Sequence, residues 1–100
     1  MSELLEQRAV SRKTARDGKH EVSAKTAERL RALSSPFSVI VDGVVDQATV
    51  VVMPCTCRPE AHEHWFIEAD ALRALEAGRE ASTSMSADGR TIEIRSLPAR

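Results

Sequence analysis

One hundred residues, 42% of them hydrophobic, suffice for one small domain whose single core is marginal in size. The two cysteines lie two residues apart and make no disulfide framework. No run approaches the ~18 apolar residues of a membrane span, and the acidic N-terminus is no signal peptide. A net charge of -1 hides an uneven distribution. Residues 1–35 carry eight Lys and Arg against five Asp and Glu, and residues 36–100 carry six against ten. Arginine far outnumbers lysine and alanine is abundant, which fits a GC-rich bacterial or phage genome.

In chain order, Ser2 to Val10 reads as a short helix, with Ser2 as N-cap, Glu3 and Glu6 at its positive end, and a stripe of Leu4, Leu5 and Ala9. Residues 11–20 are polar and cationic and read as a linker, or as a polar hairpin over Asp17-Gly18. His20, in a basic segment with no companion ligand, is expected to be exposed. A second helix starts at Ser23, with Ala24, Ala27, Leu30 and Leu33 on one face, and stops before Ser34-Ser35-Pro36. Its leucines, with Leu4 and Leu5, serve either packing on the body or contact with a partner or second copy. Residues 1–35 thus read as a helical, mildly basic arm and residues 36–100 as a β-rich body.

From Phe37 the period changes. Phe37–Val41 is β-branched, Asp42-Gly43 is a two-residue hairpin signal, and the run to Met53 reads as a central strand buried on both faces. A strand returns over His62–Glu68, a helix over Ala69–Ala77 ends at Gly78, and a last hairpin joins Arg79–Ser86 to Arg90–Leu97 across Asp88-Gly89. The sum is an α+β chain: a small antiparallel β-sheet or barrel of about five strands, in the SH3-like or OB-like size range, with one inserted helix and a helical N-terminal arm.

The densest chemistry lies in Pro54–Trp65, where both cysteines and two of the three histidines fall in the spacing C-x-C-x4-H-x-H. Read as a hairpin centred between Pro59 and Glu60, with the loop Arg58–Ala61, it pairs Cys57 with His62 and Cys55 with His64. Residues two apart, and residues directly opposed, share a face, so all four ligands meet at one end of the ribbon. Two thiolates and two imidazoles in a tetrahedron suit Zn2+, with iron or copper as the next choices. The spacing is neither that of the common zinc fingers nor that of a Rieske centre. A Cys55–Cys57 disulfide is disfavoured, because neighbours on one strand face point in parallel.

The sequence therefore predicts a cytoplasmic, non-enzymatic zinc protein ligated by Cys55, Cys57, His62 and His64. The ion would staple a small fold, and the protein would act by binding another macromolecule, a protein before a nucleic acid. Arg8, Arg12, Lys13, Arg16 and Lys19 are the candidate contacts to nucleic acid or an acidic partner. Trp65 is the candidate anchor for a protein partner, which a second copy would also satisfy. The competing reading uses the same four ligands for metal handling, redox chemistry or hydrolysis, with Glu63 or Glu60 as general base.

Overall fold

A computed structural model describes residues 2–55 and 62–98. In chain order they form β1 (Glu3–Ala9), α1 (Arg12–Asp17), β2 (Lys19–Val22), α2 (Ala24–Arg31), β3 (Phe37–Val41), β4 (Val44–Cys55) and β5 (His62–Glu68), then a 3-10 helix (Asp70–Ala74), β6 (Glu80–Met85) and β7 (Thr91–Ser96). The strands make one seven-stranded sheet in the order β1-β6-β7-β3-β4-β5-β2. Every pair is antiparallel except β3 with β7. The expected helical arm ahead of about five antiparallel strands is overturned: the first third of the chain supplies both edge strands of a curled half-barrel.

The physical reasons are local. Ser2 to Val10 has helix-forming residues, but so short a segment cannot hold an isolated helix, and β6 offers it a backbone ladder instead. Glu3 to Ala9 pair with Met85 to Glu80, with an irregularity between Leu4 and Glu6 that places the extra residue, Leu5, as a bulge. The cationic stretch after it is a capped helix rather than a linker. Ser11 accepts from the Thr14 backbone N–H at 3.4 Å, and Gly18 takes the left-handed conformation at φ 70° that closes α1. Asp17-Gly18 is therefore a helix stop, after which β2 begins. The second helix follows expectation, with Ser23 as its N-cap and Ala27 and Leu30 buried.

Across the β-rich part, Asp42 and Gly43 have φ of 45° and 87°, the two positive values that a type I′ hairpin turn requires. The Asp42 carboxylate accepts from both the backbone N–H and the hydroxyl of Ser96, each at 2.7 Å, which ties this turn to the end of β7. Strand β4 is not buried on both faces. Among its residues only Ala48 is buried, and Val45 is 68% exposed, because β4 has neighbours along both edges but solvent over one face. The helix expected over residues 69–77 shrinks to the 3-10 turn Asp70–Ala74, yet Leu72 and Leu75 point inward as the pattern required. The Asp46 carboxylate, which accepts from the Ala71 backbone N–H at 2.9 Å, holds the start of that turn against β4.

One continuous core runs from Val22 and Ile67 through Val39, Val41, Ile92 and Ile94 to Ala81, covered by Leu30 and Leu72. The sheet must curl because β1 and β2, its opposite edges, are joined by only the short α1 segment. Side chains rather than a backbone ladder bridge the seam. Glu6 accepts from the Ser23 backbone N–H at 2.9 Å, Arg8 lies 3.3 Å from Glu21, and Arg29 on α2 forms a two-pronged pair with Glu3.

His20 is buried at 1% exposure, contrary to the sequence expectation, because the alternation of β2 turns it inward with Val22. Burial lowers its pKa from 6.5, opposed by the nearby Glu6 carboxylate. A base depressed in the fold binds more protons when unfolded, so its contribution is complete above about pH 6.5 and fades as pH falls towards the folded-state value. Urea midpoints compared at about pH 8 and pH 5 should therefore drop for the native chain and drop less for His20→Leu. A second prediction concerns Gly18. A Cβ there would sit 2.8 Å from the Ala69 carbonyl oxygen on a left-handed backbone. Gly18→Ala should then cost on the order of 1–3 kcal/mol in chemical denaturation.

Candidate metal centre

The register of β4 against β5 decides what meets what. Thr49 pairs with Glu68, Val51 with Phe66, Met53 with His64 and Cys55 with His62. Alternation then puts Cys55, Met53, His62, His64 and Phe66 on one face. The other face carries Pro54, Val52, Glu63, Trp65 and the fully buried Ile67. The sequence expectation of Cys55 opposite His64 and Cys57 opposite His62 is corrected by two residues, since His62 takes Cys55 as its partner. A slip of two leaves every side chain on its face, which is why the clustering survives the wrong register. Cys57 lies outside the described residues, as do Arg58–Ala61.

The ligand atoms of Cys55, His62 and His64 all lie within 4.8 Å of one another. The two histidine Nε2 atoms face each other at 3.1 Å. Zinc–nitrogen bonds of about 2.0–2.1 Å in a tetrahedron separate two nitrogens by about 3.3 Å, so the imidazoles stand at the spacing of two ligands of one ion. The cysteine must close by on the order of 1 Å to complete the set. All three residues are half-buried. They sit at the end of the ladder, on the face away from Ile67.

Glu21 is the residue that sequence reasoning missed. Strand β2 pairs with β5 so that Glu21 lies opposite Phe66, diagonal to His64, and its carboxylate is 2.9 Å from His64 Nδ1. A carboxylate only accepts, so Nδ1 donates to Glu21 and Nε2 is the nitrogen turned toward His62. This carboxylate–histidine pairing fixes the tautomer and ring orientation that metal ligation needs. Arg8, 3.3 Å away, engages the same Glu21 oxygen, Oε2, that His64 meets. No spacing rule links positions 21 and 64; only the placing of β2 beside β5 joins them.

The sulfur chemistry departs from expectation. Cys55 is disulfide-bonded in this structure, against the reading that such a bond is disfavoured. A disulfide sulfur is not the thiolate that binds zinc, so Cys55 can serve as a ligand only when reduced.

The other singled-out residues scatter. Arg8 pairs with Glu6 and Glu21, Arg16 with Asp17, and Lys19 with Glu68, while Arg12 is exposed on α1. Lys13 lies 5.0 Å from the centre of the Phe66 ring. Trp65 is half-buried against the core, with Arg31 5.3 Å from its ring centre, and borders a shallow hollow with Pro54, His62 and Glu63. Glu63 is opposed to Pro54 on the face away from the histidines, and Glu60 lies outside the described residues.

No helix among the described residues is long and apolar enough to cross a membrane. Compared with protein families, with curated proteins and with solved structures, the chain gives no match.

If Glu21 orients His64 for a metal, Glu21→Gln should weaken zinc binding by about 10–100-fold while leaving the fold intact, read by chelator competition and circular dichroism. Unchanged affinity would deny Glu21 that role.

Proposed function

We propose that the protein is a non-enzymatic metal-binding protein that takes one divalent transition-metal ion, zinc before iron or copper, at the end of the β4–β5 ribbon. Its ligands are reduced Cys55, His62 and His64, with Cys57 as the fourth ligand of the sequence pattern. The 3.1 Å approach of the two Nε2 atoms, with Glu21 fixing one of them, is the observation that carries this reading. One or two thiolates with two imidazoles form a borderline-soft donor set, which favours zinc over magnesium or calcium.

The reading favours a bound, exchangeable ion over a folding staple. The core from Val22 to Ile94 assembles on the opposite face of β4 and β5 and contains none of the ligands. Metal binding then adds to an existing fold instead of creating it. Among the described residues the site presents no free general base: Glu21 is engaged by His64 and Arg8, and Glu63 faces away. Binding without hydrolysis is the chemistry these residues support.

Equilibrium dialysis of the full chain, kept reduced with a phosphine, should give one zinc per chain. His64→Ala and Cys55→Ser should each lose affinity by tenfold or more. Zinc at a hundredfold excess over its Kd should add about 2.7 kcal/mol of stability to a protein that is already folded without it. Sub-stoichiometric zinc in the reduced protein, or affinity indifferent to both substitutions, would refute the reading.

A further inference from the structure

Beside the metal ligands lies an open hollow of about 380 Å³. Its apolar floor is Phe66 and Met53, Pro54 lies at its rim, and Cys55 and His64 form the wall toward the metal position. Lys13 reaches in from α1. We propose that this hollow binds a small organic carboxylate with a compact apolar body, its carboxylate on the Lys13 ammonium and its body on Phe66 and Met53.

Charge complementarity carries the choice of ligand. The Lys13 Nζ sits 5.0 Å from the Phe66 ring centre and 4.0 Å from Met53 Sδ. Among the described residues no carboxylate comes within 4.0 Å of it, whereas Arg8, Arg16, Lys19 and Arg29 each have one. Lys13 is half-buried, its ammonium touches a ring face and a thioether and reaches Asp17 only at longer range, and it therefore retains capacity for a charged partner in direct contact. A charge-assisted hydrogen bond to a carboxylate is stronger than the cation–π contact it would join. Glu21 also lines the hollow and is its one acidic group among the described residues. Its carboxylate is engaged by Arg8 at 3.3 Å and by the His64 ring at 2.9 Å, which leaves Lys13 as the cation of the hollow without a carboxylate in contact.

Size and surface narrow the class. About 380 Å³ is at the small end of ligand sites and accommodates a single ring or short chain. The flexible Met53, with the small exposed part of Phe66, suits a compact apolar body. A ligand so placed lies next to Cys55 and His64, and its site is complete without a metal ion, so the proposal does not rest on the metal reading.

Benzoate is the probe, titrated into the reduced full-length protein, metal-free and zinc-loaded, while backbone amide shifts are followed. The expected result is saturable shifts at Lys13, Met53 and Phe66 in the metal-free protein. Benzyl alcohol, the neutral counterpart, should bind at least tenfold more weakly, and Lys13→Met should lose tenfold or more in benzoate affinity with an otherwise unchanged spectrum. No saturable shift at these amides, or equal binding by Lys13→Met, would overturn the proposal. Because the metal-free titration decides it, failure of zinc to bind leaves this test intact and falls on the metal reading alone.

Discussion

The antiparallel ladder between β4 and β5 is the constraint on which both halves of this molecule depend. Its period of two sends Ile67, Val50 and Trp65 toward the core and Cys55, His62, His64 and Phe66 to the opposite face. A shift by one residue would bury the imidazoles and expose Ile67, at a cost that apolar burial and unpaired polar groups make prohibitive. The hydrophobic pattern of one face thereby holds the ligands of the other in register. The cysteine–histidine cluster inherits its placement from the core without being part of it.

The edges of the sheet supply what the ladder alone lacks. Residues that compositionally resemble a loose basic arm bring β2 against β5 and so place Glu21 behind His64. They also bring β1 round the seam, where Arg8 joins Glu6 to Glu21. The chain of contacts Glu6–Arg8–Glu21–His64 therefore runs from one sheet edge across to the ligand cluster. These pairs are partly exposed and individually weak in stabilisation. Their effect is orientation: they hold one ring nitrogen protonated and turn the other toward His62. Lys13 on α1 belongs to the same N-terminal segment, so that segment surrounds the cysteine–histidine cluster with Arg8, Lys13 and Glu21.

What was legible in the sequence was periodic or punctuated. The turn at Asp42-Gly43, the last hairpin with Ile92 and Ile94 inward, the cap at Ser23 and the shared face of the histidines with Cys55 all follow from local rules. What was hidden depended on partners far along the chain. Leu4 and Leu5 carry helix propensity, but the free backbone of β6 makes them strand. His20 sits in a cationic stretch, yet pairing with Ile67 turns it into the core. The ligand register slipped by two because loop length, not alternation, sets it, and alternation cannot detect an even slip. The parallel pairing of β3 with β7 was likewise invisible, since nothing near either strand announces its neighbour.

The central claim is that two imidazoles and cysteine sulfur share one ion at the end of this ribbon. X-ray absorption of the reduced, zinc-loaded protein tests it most directly, because it reads the donor atoms themselves. The account predicts one or two sulfurs at about 2.3 Å and two imidazole nitrogens at about 2.0 Å around a four-coordinate zinc. A shell of oxygen alone, with neither sulfur nor the outer scattering of imidazole rings, would contradict it.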